Sequence, residues 1–408
     1  MTEKSSLLFS LLLCTIGAVG GAPSAPAQEP DGVTVRENAA DAPSTNPLHA
    51  CRPGPWGDLN YYYVHLEAPD EFVRQSVIPS EVTVWRFVGM SSDAVTAFLH
   101  SLALPAQILS AIQEQSQWYV SETETRILPH PVVIVNLSPE ARTRIYSLVR
   151  PWRDNEIFFK PIAIEYESAE QWFEGLDLPP TIPPLVHRLT YPQGKGYAFS
   201  DIPFVLSQLE SEHQRRTFIR ALTRTRSIVL RLTVDGSTDL RSVADYWSSG
   251  SRFKDTLPLL ESVAKVPEVS SLDVTHLLPP LPRKRLFTFP SPGTGFSGRF
   301  PDGLWTAFNF FQFSPIQDLP DEPEAVETYL KSRYIPAGED PRFGDLIVLR
   351  HPMTKSAMHA AVRIADDIVY TKNGASIFRP WTMMKMDSML LQWSHRGRPE
   401  VEYWRLKE

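Results

Sequence analysis

Three short apolar runs near the C-terminus constrain the fold of this chain most strongly. Residues 345–350, 359–364 and 367–371 are rich in aliphatic side chains and are separated by short polar turns. Runs of this length, bounded by turn residues, predict successive strands that pair in an antiparallel sheet. Asp302 precedes large side chains at helical spacing, so we expect it to cap a helix. A helix followed by such a sheet predicts an α+β unit.

A Pro-rich and Gly-rich stretch separates this unit from the rest of the chain. Residues 278–297 concentrate Pro, Gly and basic side chains, a composition typical of a linker. The total length of 408 residues suits two or three domains. We therefore predict a larger domain over residues 51–286 and a second domain over residues 287–408.

The predicted larger domain alternates strand-like and helix-like segments. Residues 82–88 alternate as a strand does, residues 92–102 have helical spacing, and the same order recurs over residues 228–247. This alternation favours a mixed α/β domain over a solenoid or an all-β sandwich. The domain has neither a phosphate-binding Gly-rich loop nor the paired Cys or His spacing of a zinc site. We predict no cofactor and no metal.

The N-terminus has the pattern of an export signal. Lys4 precedes an apolar stretch over residues 7–16, and an Ala-Pro-Ala sequence offers a small-residue cleavage site. An uncleaved anchor ranks lower because a spanning helix needs about 20 apolar residues. A lipoprotein ranks lower because a leucine precedes Cys14. We predict a signal peptide over residues 1–27 and a secreted or periplasmic protein with no stable membrane insertion.

The segment after the signal predicts a spacer without regular structure. Residues 28–50 are rich in Ala, Pro, Ser and acidic side chains, so they bury too little surface to offset the entropy of ordering. We expect order to begin near Cys51. Once Cys14 is removed, Cys51 is the last cysteine, which excludes an intramolecular disulfide. We interpret it as a small buried side chain, with an intermolecular bridge or a reactive thiol as alternatives.

The charge of the chain bears on its partners. A formal net charge of -7 argues against a dedicated nucleic-acid surface, because phosphate binding requires clustered positive charge. Basic runs such as residues 220–226 and 283–285 are interpreted as solvated faces. We therefore predict no nucleic-acid partner.

A series of motif residues runs through the predicted helix and strands. In chain order they are Asp302-Gly303, Gly344-Asp345-Leu346, His359 and Lys372-Asn373-Gly374. This series resembles the NlpC-type branch of papain-like cysteine peptidases and amidases over roughly residues 296–381. Those are secreted bacterial enzymes that commonly cut peptide crosslinks of the cell wall. The resemblance implies a papain-like fold, with a helix packed on an antiparallel sheet.

The resemblance also implies roles for individual residues. His359 matches the general base, and Asn373 or Lys372 matches the residue that orients it. Asp302, Trp305 and Lys372 are then expected to contact a bound peptide or cell-wall fragment. Taken singly, His359 is equally well a satisfied strand histidine, and Asn373-Gly374 is a common tight-turn dipeptide.

Gly303 departs from the family pattern at the decisive position. Those enzymes carry a cysteine at the start of the helix, where the helix dipole and an imidazolium stabilise a thiolate. Glycine supplies no nucleophile, and His359 with Asn373 alone offers no route to an acyl-enzyme. We predict a cleft between Gly303, His359 and Asn373 without cysteine-peptidase chemistry.

Three functions fit this pattern. The first is an exported protein with a catalytically impaired NlpC-like domain that binds peptide or cell-wall fragments. The second is an active peptidase or amidase that uses Cys51, a hydroxyl group, or water activated by His359. The third is a structural or interaction protein that keeps the fold as a scaffold, since a fold does not determine a function.

Overall fold

The computed structural model describes residues 47–407 apart from gaps at residues 76–80, 153–154, 160, 165, 167, 195, 249–251, 267, 293–299, 317, 339 and 395–396. The predicted signal peptide over residues 1–27 and residues 28–46 of the predicted spacer lie outside the described residues. Regular structure begins slightly before Cys51, because His49 already pairs with Tyr61 across two strands.

The described strands pair in antiparallel sheets. Their bounds are β1 His49–Ala50, β2 Leu59–Leu66, β3 Trp85–Val88, β4 Gln117–Val120, β5 Glu124–Leu128, β6 Ile162–Ala163, β7 Tyr191–Gln193, β8 Gly196–Phe199, β9 Thr225–Thr233, β10 Ser271–Asp273, β11 Tyr334–Pro336, β12 Leu346–Arg350, β13 Ala357–Ala365, β14 Ile368–Lys372, β15 Trp381–Lys385 and β16 Glu400–Leu406. The sheet orders are β1-β2-β9-β10, β3-β5-β4, β6-β8-β7 and β11-β16-β12-β13-β14-β15.

The described helices lie between and around these sheets. Their bounds are α1 Asp70–Gln75, α2 Ser92–Ser101, α3 Ala106–Ser110, α4 Pro131–Asn136, α5 Pro139–Val149, α6 Glu156–Phe159, α7 Ala169–Phe173, α8 Ile182–Leu189, α9 Ile202–Ser207, α10 Glu212–Thr223, α11 Leu240–Tyr246, α12 Phe253–Ala264, α13 Pro280–Arg285, α14 Gly303–Phe308, α15 Pro323–Arg333 and α16 Met386–Trp393, with a π-helical turn at Ala111–Gln115 and a 3₁₀ turn at Val274–Leu277. Among the described helices, none has the length and apolar content needed to cross a bilayer. Helices with antiparallel sheets give the α+β class.

The six-stranded sheet contains the three strands predicted from the apolar runs. They are β12, β13 and β14, which are neighbours in that order. The hairpin between β13 and β14 turns through Asp366, whose φ of 49° is a left-handed conformation that Asp adopts more readily than most residues. The Asp366 carboxylate accepts hydrogen bonds from Arg52 N at 3.1 Å and Arg52 Nε at 2.6 Å. The beginning of the described chain is therefore tied to a hairpin near its end.

One hydrophobic core includes residues from both sides of the boundary predicted at residues 286/287. Trp247 lies before that boundary, and its ring centroid is 5.2 Å from that of Phe343, which lies after it. The Tyr246 hydroxyl donates to Ile364 O at 2.8 Å. Two further cores lie within residues 85–222. The boundary therefore falls inside a shared core and does not separate two independent ones.

The first residues after α13 join the edge of the six-stranded sheet. Leu286 forms a parallel bridge with Trp381. Phe287 N donates to Trp381 O at 2.9 Å, and Trp381 N donates to Thr288 O at 3.0 Å. Phe287 has a φ of 64°, an unusual conformation for a bulky residue. Residues 286–288, in the middle of the predicted linker, thus extend the sheet beside β15.

Helix α16 covers one face of the same sheet. The chain leaves β15 at the sheet edge, forms α16, and returns to the sheet as β16 on the far side of β14, β13 and β12. Met389 of the helix is fully buried against Leu349, Ala361 and other side chains of that face. On its outer side, Leu391 lies so close to Gly196 of β8 that a Cβ there would be 2.7 Å from Leu391 Cδ2. The helix is therefore held between the sheet and an earlier hairpin.

Candidate functional site

Helix α14 brings the predicted site residues to the sheet. Asp302 is its N-cap and accepts a hydrogen bond from Trp305 N at 2.9 Å. The helix packs against β13, which carries His359, and against β14, which ends at Lys372. The predicted site residues Asp302, Gly303, Trp305, His359 and Lys372 therefore lie on elements that contact each other, and Asn373 directly follows β14.

Gly303 and His359 are in direct contact. A Cβ built on Gly303 would lie 2.1 Å from His359 Cε1, 2.3 Å from His359 Nδ1 and 2.6 Å from Ala360 O. Real Cβ atoms do not approach other heavy atoms this closely, so any side chain at this position displaces its neighbours. The cleft predicted between Gly303 and His359 is therefore closed, because the imidazole and a strand carbonyl occupy the space of the missing side chain.

The other ring nitrogen of His359 bonds to Thr371. The distance from His359 Nε2 to Thr371 Oγ1 is 2.9 Å, and Thr371 Oγ1 donates to Ala360 O at 3.1 Å. A hydroxyl has a single proton, so Thr371 accepts from the imidazole. This assigns the ring proton to Nε2 and leaves the lone pair of Nδ1 toward Gly303.

Asn373 makes different contacts from those the resemblance implies. Its Nδ2 donates to Met384 Sδ at 3.0 Å, and its Oδ1 accepts from Trp393 Nε1 at 3.3 Å. Thr371 instead holds His359, because it lies inside β14 whereas Asn373 follows the strand. Alternation along a strand places residues two apart on one face, so Thr371 could have been identified as the alternative to Asn373.

A tryptophan that the sequence did not point to covers His359. The ring centroids of His359 and Trp393 are 4.5 Å apart and the rings are nearly parallel, at 18°. Trp393 ends α16 and arrives from the face that this helix covers. Together with Gly303 and Thr371, this side chain leaves His359 only 1% exposed.

Burial keeps His359 neutral. Loss of solvation, together with a smaller contribution from the charge of Lys372, lowers the pKa of His359 from 6.5 to about 3. A general base works best when its pKa lies near the working pH. His359 is therefore a weak base at neutral pH.

Lys372 is fully buried and serves as an internal anchor. Its Nζ donates to Gly374 O at 2.7 Å and to Ser376 O at 2.9 Å, which holds the loop after β14. Burial lowers the pKa of Lys372 to about 7, while the charge of Asp302 opposes this shift and that of Arg379 adds to it. Its amino group does not face solvent, so the predicted ligand contact by Lys372 has no open path.

Trp305 lies at the edge of a cavity too small for a ligand. The cavity measures about 10 Å³ and is also lined by Thr306, Tyr370 and Trp381. A space of this size holds about one water molecule. The Thr306 hydroxyl accepts a hydrogen bond from Trp381 Nε1 at 3.0 Å, so the nearest hydroxyl is engaged in packing.

The Gly-Asp-Leu motif has a structural role. Gly344 has a φ of 87°, and a Cβ there would lie 2.3 Å from Phe311 Cζ. Asp345 accepts from Arg405 Nε at 2.9 Å and from Arg405 NH2 at 2.7 Å, and its Oδ2 also accepts from Arg342 N at 2.7 Å. The motif thus fixes the turn before β12 and ties it to β16.

The charged groups around Cys51 are not those of the candidate site at Gly303 and His359. Burial raises the pKa of its thiol to about 11, and the nearby charges are Lys385, Asp366, Asp367 and Asp58. A thiol with a raised pKa is a poor nucleophile because it remains protonated. Cys51 therefore does not replace the missing cysteine.

A larger opening of about 330 Å³ lies elsewhere, beside β9 and α11. Two of its carboxylates serve local structure: Asp235 accepts from Ser237 and Thr238, and Asp239 caps α11. Among the described residues, no group of three or more His, Cys, Asp or Glu side chains could hold a metal ion. No protein-family model, curated protein or solved structure matches the chain.

Proposed function

We propose that this protein is an exported, non-catalytic relative of the NlpC-type papain-like peptidases, whose C-terminal unit acts as a structural or binding module. The observation that carries this proposal is the contact between Gly303 and His359, at the position where those enzymes hold their thiol. Gly303 lies beside Nδ1 of His359, and Thr371 lies beside Nε2. This arrangement supports common descent, because the resemblance implies a nucleophile on one side of the imidazole and an orienting residue on the other.

The site offers neither an activated nucleophile nor an effective general base for hydrolysis. No side chain extends from Gly303, and the Thr306 hydroxyl is engaged with Trp381. His359, with a pKa of about 3, does not take a proton from water efficiently at neutral pH. Cys51 retains its proton. The geometry therefore favours a scaffold over an enzyme.

The test is hydrolysis of a synthetic cell-wall stem peptide by the full-length protein, followed by chromatography. We expect no cleavage by the wild type. We also expect none by Gly303→Cys, because the new side chain has no space beside His359. Cleavage that disappears in His359→Ala would show that the site is catalytic and would refute the proposal.

Binding of a peptide or cell-wall fragment is the second candidate, and the rim of the closed site favours it. Asp302, Trp305 and Arg379 remain partly exposed, so an aromatic ring and both signs of charge reach solvent. Asp302 and Arg379 both act electrostatically on Lys372, which places the two charges around one point. Such a rim suits a zwitterionic peptide.

A titration of the stem peptide against the full-length protein, followed by calorimetry, tests this candidate. Trp305→Ala should weaken binding, whereas Trp152→Ala, which removes a tryptophan that is 43% exposed in another part of the molecule, should not. Absence of saturable heat, or equal affinity for both variants, would exclude binding at this rim and leave the scaffold role.

A further inference from the structure

The loop after α14, residues 310–316, presents an aromatic side chain to solvent. Three phenylalanines lie close together in it, and two of them turn inward. Phe310 is 1% exposed, and Phe311 packs against Phe343 at a ring distance of 6.4 Å. Phe313 instead is 84% exposed, and Ile316 on the same loop is 36% exposed. The loop therefore keeps apolar area in water that its own core does not use.

A buried amide holds this loop in one shape. Asn309 is 0% exposed, and its Oδ1 accepts from Ile316 N at 2.7 Å. Its Nδ2 donates to Ile316 O at 3.2 Å and to Trp305 O at 3.0 Å. One side chain thus satisfies both backbone groups of Ile316 and fixes the loop on the end of α14. A preformed loop loses little conformational entropy on binding, which favours recognition.

The stretch of sequence that contains Phe313 is acidic. Residues 300–330 contain no Lys or Arg, and their acidic residues are Asp302, Asp318, Asp321, Glu322, Glu324 and Glu327. Asp318, Glu322 and Glu324 are exposed, whereas Glu327 pairs with the buried Arg350. A surface of one sign attracts a partner of the opposite sign and repels others.

We infer that the exposed side chains of residues 310–316 and 318–324 form a docking surface for a basic, amphipathic segment of another protein, with Phe313 as the apolar anchor. Exposed aromatic anchors on rigid supports commonly supply most of the energy of such contacts, and the carboxylates select a partner whose apolar residues are flanked by Lys or Arg. The loop lies at the opposite end of α14 from Gly303. The inference is therefore independent of whether the site beside Gly303 is catalytic.

The experiment uses the full-length protein and a fluorescent amphipathic peptide of Leu and Lys, with affinity measured by anisotropy. Phe313→Ala should weaken binding by about tenfold or more, which corresponds to about 1.4 kcal/mol. Met353→Ala is the matched control, because Met353 is 83% exposed in the turn between β12 and β13, and it should change the affinity by less than about twofold. Added salt should weaken binding.

A second variant tests the charges separately. Glu322→Lys combined with Glu324→Lys should also reduce the affinity, measured at a temperature where the variant is folded because both positions lie at the N-terminus of α15. Phe313→Ala should leave the melting temperature unchanged because its side chain is exposed. The inference is overturned if Phe313→Ala binds like the wild type, or if a Ser and Lys peptide of equal charge binds as tightly. It is also overturned if sedimentation shows that Phe313 mediates self-association, since a second copy would then be the occupant.

Discussion

Two fully buried polar clusters in this protein respond to burial in opposite ways. In the earlier part of the chain, Arg142 and Asp201 are both 0% exposed and form an ion pair, with Arg142 Nη1 2.5 Å from Asp201 Oδ2. The Tyr146 hydroxyl also donates to Asp201 at 2.5 Å. In the C-terminal part, His359 and Lys372 have no carboxylate within ion-pair distance among the described residues, and burial lowers both pKa values.

The comparison separates charge pairing from loss of charge as ways of keeping polar groups inside a protein. A buried ion is tolerated when a counter-ion and hydrogen bonds replace water, and otherwise the group favours its neutral form. The Arg142 cluster follows the first route, although Arg142 Nε has no partner among the described residues. The His359 ring follows the second, and burial shifts the pKa of Lys372 in the same direction. The neutral imidazole suits a packed interior better than it suits catalysis.

Removing Asp201, the counter-ion of Arg142, should have the largest effect on stability. Asp201→Asn leaves the Arg142 guanidinium buried without a matching charge, so we expect the free energy of unfolding to fall by about 3–5 kcal/mol. Urea denaturation measures it. Glu212→Gln is the control, because Glu212 is 69% exposed in its pair with Arg216 and should contribute less than about 1 kcal/mol. A loss below about 1 kcal/mol for Asp201→Asn would mean that Arg142 does not depend on this carboxylate.

Filling the contact beside His359 should have the next largest effect. Gly303→Ala places a Cβ within 2.1 Å of the imidazole, and we expect this overpacking to lower the free energy of unfolding by about 1–3 kcal/mol. Gly236→Ala is the matched control, because a Cβ there meets nothing within 4 Å. Equal stability of the two variants would indicate an open cleft next to His359.

Titration of His359 should have a smaller, gradual effect. Its pKa is about 3 in the folded protein and 6.5 in the unfolded chain, so folding favours the neutral ring. This contribution is complete above pH 6.5 and is lost as the pH falls toward 3, at about 1.4 kcal/mol per pH unit. The stability difference between wild type and His359→Gln should therefore shrink by about 2 kcal/mol from pH 6.5 to pH 5. A constant difference would show that His359 is not buried as a neutral ring.

The sequence was sufficient to predict those parts of the site that lie on regular elements. Local patterns predicted the strands β12, β13 and β14 and the helix cap at Asp302. In the structure, these elements place Gly303 next to His359. Thr371 was missed because it shares a strand face with Asn373, and the point at which β14 ends decides which of them reaches the imidazole.

Other features depend on tertiary structure and leave no local signal. Trp393 contacts His359 only because α16 packs on the sheet. No residue pattern near Trp393 indicates this packing. The closed cleft depends on approach distances of a few ångströms, which residue patterns do not encode. The Pro-rich stretch around residue 286 indicated a linker, although Leu286, Phe287 and Thr288 in the middle of that stretch pair with Trp381.

The bond between Arg52 and Asp366 joins positions 314 residues apart. Contacts of this separation form late, because a long loop must close before they contribute. The ribosome makes Arg52 long before Asp366, and it makes β2, β9 and Trp247 before the strands β12, β13 and β14 that complete their core. During that time their apolar side chains are exposed, a state in which nascent chains aggregate or require chaperones. The shared core thus makes the order of synthesis part of the folding problem of this protein.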